Sequence, residues 1–360
     1  MSDERRQAAS SHQLATGETL AVRILEPPLG PYAERIEYWW RDIRAPLVGG
    51  ELAVTSRDRF VIGEIDGAYV ASMTYATARD TPDVAVLEMV WTHPNQRRKG
   101  IADVLLRATL ADFRALGGRA IYLCTVNPPA AALYQRHGFR PLIGDGLRYL
   151  TPGHEDFDRT YFADAGPARA RPGTWGDLAR VSALYNQPEP GWLIKDYPRR
   201  VFRDMRYEGH YRQVWLPCSQ GRGQVSVLEN PLGRVVGIAS LVEVDSYFEQ
   251  QVRVLECWSC PAYLTQLPAL VAGLIEEAAP ARVEIVQAYV AETDATKLAV
   301  LAAAGLREEA RLAARLRDGD RRSDLLIYSR ALGRRVAPAQ PIGTYYGARP
   351  RWREQPEASE

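Results

Sequence analysis

The sequence predicts an α/β (α+β) protein built from two tandem copies of one unit. Three observations carry this. First, residues 86–118, VLEMVWTHPNQRRKGIADVLLRATLADFRALGG, read as an apolar strand, a short cationic turn, a glycine and a long amphipathic helix. Apolar residues follow the turn at helical spacing (Ile101, Val104, Leu105, Ala108, and Leu106, Leu110, Phe113), and Gly117-Gly118 stops the helix. Second, the pattern returns 167 residues on. Val90-Trp91-Thr92-His93-Pro94 faces Cys257-Trp258-Ser259-Cys260-Pro261, and the same shift carries Gly138-Phe139 onto Gly305-Leu306 and Asn127 onto Asp294. Third, 360 residues suffice for two domains, each with its own core.

In chain order, residues 1–18 are polar, are expected to be disordered or loosely ordered, and lack the apolar centre of a signal peptide, and no apolar run approaches the length of a membrane span. The protein is expected in the cytosol. LAVRILE, 20–26, alternates like a first strand, and 31–44 has a helical look that includes Tyr38, Trp39, Trp40, Arg41 and Asp42. RFVIGEIDG and AYVASMTYATA read as two strands joined at Asp66-Gly67. The strand 84–92 carries a single acid, Glu88, in an apolar run. A strand at 120–125 leads to Asn127-Pro128, a good N-cap followed by a proline suited to the first helical position. Gly138 ends that helix and 144–150 closes the sheet. The polar stretch 151–167 suits a linker. Beyond it, in the second unit at 168–332, RPGTWGDLARVSALYN reads as a strand running into a helix, 235–243 and 252–259 as strands, and 267–278 as a helix. The tail 333–360, rich in Arg, Pro and Gly, is expected to be loosely ordered.

The turn at Arg97-Arg98-Lys99-Gly100-Ile101-Ala102 has the physics of an anion site. A helix opening there presents unpaired backbone N–H groups and the positive end of its dipole. Gly100 and Ala102 are small enough for a diphosphate to approach the backbone, while Arg97, Arg98 and Lys99 add charge. A solvated basic turn before a surface helix is the alternative. Elsewhere charge is balanced, 45 Lys plus Arg against 44 Asp plus Glu, which argues against a nucleic-acid partner or an anionic membrane. Four cysteines (Cys124, Cys218, Cys257, Cys260) make no disulfide framework. Cys257-x-x-Cys260 lacks a second pair or clustered histidines, so these thiols are expected to be structural and no metal is expected.

The turn resembles the Arg/Gln-x-x-Gly-x-Gly/Ala signature of the GNAT superfamily of acyl-CoA-dependent N-acetyltransferases, with Arg97, Gly100 and Ala102 in the signature places. The preceding strand and Pro94 fit, and NPPAAALYQRHGF, 127–139, is similar to the family's second segment through Asn127, Tyr134 and Gly138-Phe139. The resemblance covers about residues 20–150 and departs at Ala102, where glycine is more frequent. It implies two GNAT folds, each a mixed, mostly antiparallel twisted sheet flanked by helices with a splayed central strand pair, the catalytic one at 19–150. It further implies acetyl-CoA as cosubstrate, bound along Val90, Trp91 and Thr92, at the diphosphate by Arg97, Arg98, Lys99, Gly100, Ile101 and Ala102, and by Asn127. An N–H near Val90 would bind the oxyanion. Glu88, two residues upstream and on the same face of an alternating strand, would draw a proton from the ammonium through a water, and Tyr134 would protonate the leaving thiolate. The plainer readings are a Glu88 paired across the sheet, a Tyr134 packed on it, and an Asn127 that only caps its helix. Residues 38–42 would either wall the acceptor pocket or pack as core. The acceptor is expected to be a small-molecule or peptide amine, and the protein a monomer or homodimer.

The second copy departs where chemistry is concerned. At the 167-residue shift Arg97, Gly100 and Ile101 become Leu264, Leu267 and Pro268, Glu88 becomes Leu255 and Tyr134 becomes Leu301. That copy is expected to be degenerate, working by packing on the first, covering its acceptor pocket or forming a dimer contact. Two other functional readings stay open: a non-catalytic acyl-CoA-binding sensor or interaction module, and an acyl-CoA hydrolase or decarboxylase. Intact Glu88 and Tyr134 count against the pure binder.

Overall fold

The computed structural model describes residues 10–36, 40–187, 193–203, 205–244, 246, 249–278 and 283–333. The first half forms β1 (Ser10–Gln13), β2 (Thr19–Leu25), α1 (Arg41–Gly49), β3 (Ser56–Ile65), β4 (Ala68–Ala78) and β5 (Val84–Thr92). It continues with α2 (Ile101–Ala115), β6 (Ala120–Cys124), α3 (Pro128–Arg136), β7 (Arg140–Pro141), β8 (Gly146–Leu150) and α4 (Phe157–Tyr161). The second half forms β9 (Arg169–Pro172), α5 (Leu178–Tyr185), β10 (Ile194–Asp196), β11 (Val201–Phe202), α6 (Tyr211–Ser219), β12 (Gly223–Glu229) and β13 (Val235–Glu243). It ends with β14 (Val252–Ser259), α7 (Leu267–Ala278), β15 (Ile285–Ala291), α8 (Ala295–Ala303), β16 (Arg307–Asp318) and β17 (Arg321–Ala331).

The two large sheets have one topology. Their orders are β1-β2-β3-β4-β5-β6-β8-β7 and β9-β12-β13-β14-β15-β17-β16, so from β2 and β9 onward the strands correspond one to one. Each sheet is antiparallel except at one central pair, β5 with β6 and β14 with β15. The helices after those pairs correspond as well: α3 and α8 begin and end 167 residues apart. The chain is therefore two mixed, mostly antiparallel sheets flanked by helices, a pair of GNAT-like folds in tandem.

Local chemistry explains the elements. Asp66 (φ +51) and Gly67 (φ +76) both take the left-handed conformation that a two-residue hairpin between twisted strands requires. Helix α2 lays Ile101, Leu105, Leu106, Leu110 and Phe113 against Val61, Met73, Tyr75, Ala85 and Leu87 on one face of the first sheet. The opposite face, with Phe60, Ile62, Ala76, Val84, Val86, Met89 and Tyr122, shares a second core with the following half. All eight residues of α5 are buried, because this helix packs against β4, β5 and β6 on one side and β13 on the other. No helix among the described residues is long and apolar enough to cross a membrane.

Two expectations need correction. The first helix begins at Arg41, not near residue 31, since Gly30-Pro31 closes a short 3₁₀ turn over Gly30–Tyr32. Trp40 then packs edge-on against Trp175 of the second half, at 6.4 Å, and lies under the Arg212 guanidinium. It is core between the units; Tyr38 and Trp39 lie outside the described residues. The stretch 151–167, expected as a linker, also carries core residues. Phe157 and Tyr161 of α4 are fully buried, and Arg234 donates to the Thr160 and Tyr161 carbonyls at 2.8 and 3.1 Å. The N-terminus is not loose where it is described: Ser10–Gln13 pairs antiparallel with β2, which anchors part of the 1–18 segment. Residues 1–9 and the tail 334–360 fall outside the described residues.

Candidate active site

The parallel pairing of β5 with β6 ends at Val86–Tyr122, although β5 runs on to Thr92 and β6 to Cys124. Past that point the strands part. On its other edge β5 bulges: the register on β4 steps from Ser72–Trp91 to Thr74–Glu88, leaving Met89 and Val90 without Cα partners. Met89 sits at φ +53, a left-handed conformation that costs a side-chain-bearing residue of order 1 kcal/mol. A bulge frees backbone N–H groups from the ladder and re-aims the strand.

That bulge corrects the predicted parity of the strand. Glu88 and Val90 do not share a face. Glu88 lies on the side of Val84, Val86 and Met89, toward the second half, whereas Val90 packs with the α2-side core. One extra residue reverses the alternation on which the expectation rested. Tyr134 of α3 is buried in the α2-side core against Phe139, ring centroids 5.6 Å apart. Glu88 and Tyr134 thus border the parting strands from opposite faces of the sheet.

At the end of β5 the chain makes the cationic turn. Gly100, at φ +80, is the N-cap of α2, and a Cβ placed there would meet nothing within 4 Å. Arg98 is also left-handed, φ +64, and exposed. Arg97 Nε donates to the Thr92 carbonyl at 3.2 Å, and Lys99 Nζ pairs with Glu18 at 2.5 Å. Ile101 is buried under the helix start and Ala102 follows it in the first turn. Trp91 stacks on Tyr69, with centroids 5.3 Å apart. Asn127 occupies the N-cap of α3, yet its side chain makes no capping bond and is exposed. Capping therefore does not account for this residue.

An open helix N-terminus beside a parted, bulged strand is thus present in the first half, and residues 19–139 match the acetyltransferase (GNAT) family. The first unit is a GNAT acetyltransferase domain. Acyl-CoA-dependent N-acetyl transfer is accordingly its general class of activity. The chain is also similar to solved structures, each over less than half its length. A ribosomal-protein-alanine N-acetyltransferase from Brucella melitensis is 23% identical, with 45% of this chain and 99% of that one covered and a TM-score of 0.40. A phosphinothricin acetyltransferase from Sinorhizobium meliloti, solved in complex with acetyl-CoA, is 14% identical over 47% of this chain and 90% of that one, with a TM-score of 0.39. No curated protein matches the chain.

Electrostatics distinguish the two candidate groups in the GNAT domain. Burial pushes the Glu88 carboxyl well above its usual range, reinforced by the carboxylates of Asp58 and Glu208 and opposed by Arg212. Burial, with Cys124 adding, pushes the Tyr134 phenol up to about 12, so it holds its proton at neutral pH. Cys124, at the end of β6, keeps an exposed edge, yet the desolvating atoms around its thiol push it up to about 11, and it feels Arg206, Glu208 and Glu88. The segment around Arg206–Arg212 of the second unit therefore reaches the parted strands. Its contacts agree: Arg206 Cδ lies 3.6 Å from a Cβ position at Gly146, Trp40 lies 3.3 Å from one at Gly209, and Arg212 pairs with Asp42. Sequence reasoning missed Asp58, Thr74, Asn186 and Glu208. None of them carried a sequence signal: Asp58 shares its strand with Glu64, and the others are joined only by tertiary packing.

The second copy keeps the parted strands and loses the rest. Its β14–β15 pairing stops at Leu255–Ala288, but β13 and β14 run in unbroken register from Gly237–Ser259 to Glu243–Arg253, with no bulge. Lys297 Nζ bonds Glu256 at 2.6 Å and the Ile194 carbonyl at 3.3 Å, while β10 packs against both β14 and β15. Asp294 does cap α8, accepting from the Lys297 N–H at 2.9 Å. Burial pushes Cys257 and Cys260 up to about 12 and about 11, which keeps both as thiols.

Proposed function

We propose that the GNAT domain transfers acetyl from acetyl-CoA to a primary amine by direct attack through a tetrahedral intermediate. The observation that supports this most is the bulge at Met89-Val90 where β5 leaves β6, present in the first copy and missing from the second. In this reading the turn Arg97, Arg98, Lys99, Gly100, Ile101 and Ala102 holds the diphosphate, and Val90, Trp91, Thr92 and Asn127 hold the arm. Glu88 removes a proton from the incoming ammonium, directly or through a water. Its raised pKa brings the base closer to that of the amine it serves. The N–H groups released near Val90 stabilise the oxygen on which charge develops as the N–C bond forms. Tyr134, on the opposite face, gives its proton to the sulfur as the C–S bond breaks.

The test is an amine panel with purified protein and acetyl-CoA, following free thiol and the mass of acetylated product. Amine-dependent thiol release with a matching product supports the assignment. Thiol release without amine would make the protein a hydrolase, and saturable acetyl-CoA binding with no turnover would make it a sensor.

A further inference from the structure

The buried polar atoms around Glu88 have no complete set of partners. Thr74 stands directly across β4 from Glu88 on the same face, is 4% exposed, and its Oγ1 has no hydrogen-bond partner among the described residues. From the second unit, Asn186 at the end of α5 donates Nδ2 to Glu208 Oε1 at 2.9 Å. Asn186 Oδ1 and Glu208 Oε2 are left unbonded, although both residues are more than nine-tenths buried. Neither Glu88 nor Asp58 makes an ion pair among the described residues. The cations nearby do not balance this. Arg206 Nε makes only a long ion pair with Glu208 Oε2, 3.7 Å and without a hydrogen bond, and Arg212 is committed to Asp42 and the Trp40 ring. Lys195 Nζ is turned to the Met205 carbonyl at 2.6 Å. Burial holds Glu208 up at about 7 against Arg206, Lys195 and the Asn186 hydrogen bond, and holds Asp58 up at about 6 against Ser56 and Trp175, so desolvation outweighs the charge and hydrogen bonding supplied by the protein.

Glu88 feels the Glu208 carboxylate, and Arg206 and Arg212 on either side of Glu208 touch Gly146 and Asp42 of the first unit, so acceptor oxygens from two units face one region. The complement of that arrangement is a ligand rich in N–H groups with more than one positive charge. We propose that the acceptor carries two cationic nitrogens, one reacting at Glu88 and the other held by Glu208 and Asn186, so that the degenerate copy sets acceptor specificity. This rests on the N-acetyltransfer reading. Glu208 acts here as a specificity residue, not as a catalyst.

The experiment compares butane-1,4-diamine, butylamine and 4-aminobutyrate as acceptors for the full chain and its Glu208→Gln and Glu208→Asp variants. Glutamine preserves the oxygen that accepts from Asn186, and thermal melting checks folding. The full chain is expected to favour the diamine over butylamine by about tenfold or more in kcat/KM, mostly through KM, in line with a charge-assisted hydrogen bond. Glu208→Gln abolishes the preference by raising KM for the diamine and not for butylamine, and Glu208→Asp restores part of it. A linear triamine and a diamino sugar in the same assay separate open-chain from cyclic sources of paired nitrogens. Equal use of diamine and monoamine, a preference for 4-aminobutyrate, or an equal loss on all acceptors in Glu208→Gln overturns the proposal. Calorimetry of the diamine on CoA-saturated protein separates the two readings. Glu208-dependent binding without acetylated product leaves this inference standing and removes the catalytic one. Acetylation of every amine with no diamine preference does the reverse.

Discussion

Asp58 offers a quantitative check on the interface between the units. Its carboxyl is buried at 3% exposure beside Trp175, and burial lifts its pKa from 3.8 to about 6, against the opposing hydrogen bond from Ser56. A shift of roughly two units is worth about 3 kcal/mol between the protonation states. Since the folded pKa lies above the unfolded one, the folded state binds the extra proton between those two values. Below about pH 4 both states are protonated and nothing is lost; stability then falls as pH rises, and the full loss is present above pH 6. Asp58→Asn keeps an oxygen for the Ser56 hydroxyl but cannot ionise. The stability of the variant relative to the parent should therefore rise by about 3 kcal/mol between pH 4 and pH 7.5. Urea unfolding followed by tryptophan fluorescence at half-unit pH steps reads this directly, provided the denaturant slope is shared. A difference that stays flat across the range, or declines, would refute the claim that an uncompensated carboxylate is held between the two sheets.

Other outcomes follow from the same geometry. Tyr134→Phe should lower kcat by about 10²-fold and leave the calorimetric affinity for acetyl-CoA unchanged, because the phenol acts on the leaving group; unaltered turnover removes it from the mechanism. Gly100→Val should weaken CoA binding about tenfold or more: no neighbour obstructs the new Cβ, but φ +80 is a strained backbone for valine. Normal affinity would place the diphosphate elsewhere. The acidic limb of kcat/KM against pH should lie well above the ordinary carboxylate range, with activity rising as Glu88 ionises, and should disappear in Glu88→Gln. Lys297→Met should cost about 3–5 kcal/mol of stability by stranding Glu256 in the second unit. The KM for acetyl-CoA should not move, since that unit is not where the donor is expected to bind.

Much of this was legible in the sequence because long apolar runs leave few choices. The strands 235–243 and 252–259 and the helix 267–278 fall where their patterns place them, and the 167-residue repeat reappears as matched topology. What failed did so for local reasons. A bulge is one residue without a composition signature, yet it reversed the faces of Glu88 and Val90. The helix sought at 31–44 was displaced by a glycine-proline turn, and the polar-looking linker hid Phe157 and Tyr161 in a core that spans both halves. Glu208 and Asn186 belong to the site only through tertiary packing, which a linear pattern does not encode.

The placement of α5 has an evolutionary corollary. A helix with no outward side cannot be returned to solvent, so a chain cut near residue 150 would bare Phe60, Ile62, Val84 and Val86 on one fragment and Leu178, Val181 and Leu184 on the other. Once that wedge had formed, neither unit could be deleted without baring the other, and inheritance of either half came to require both.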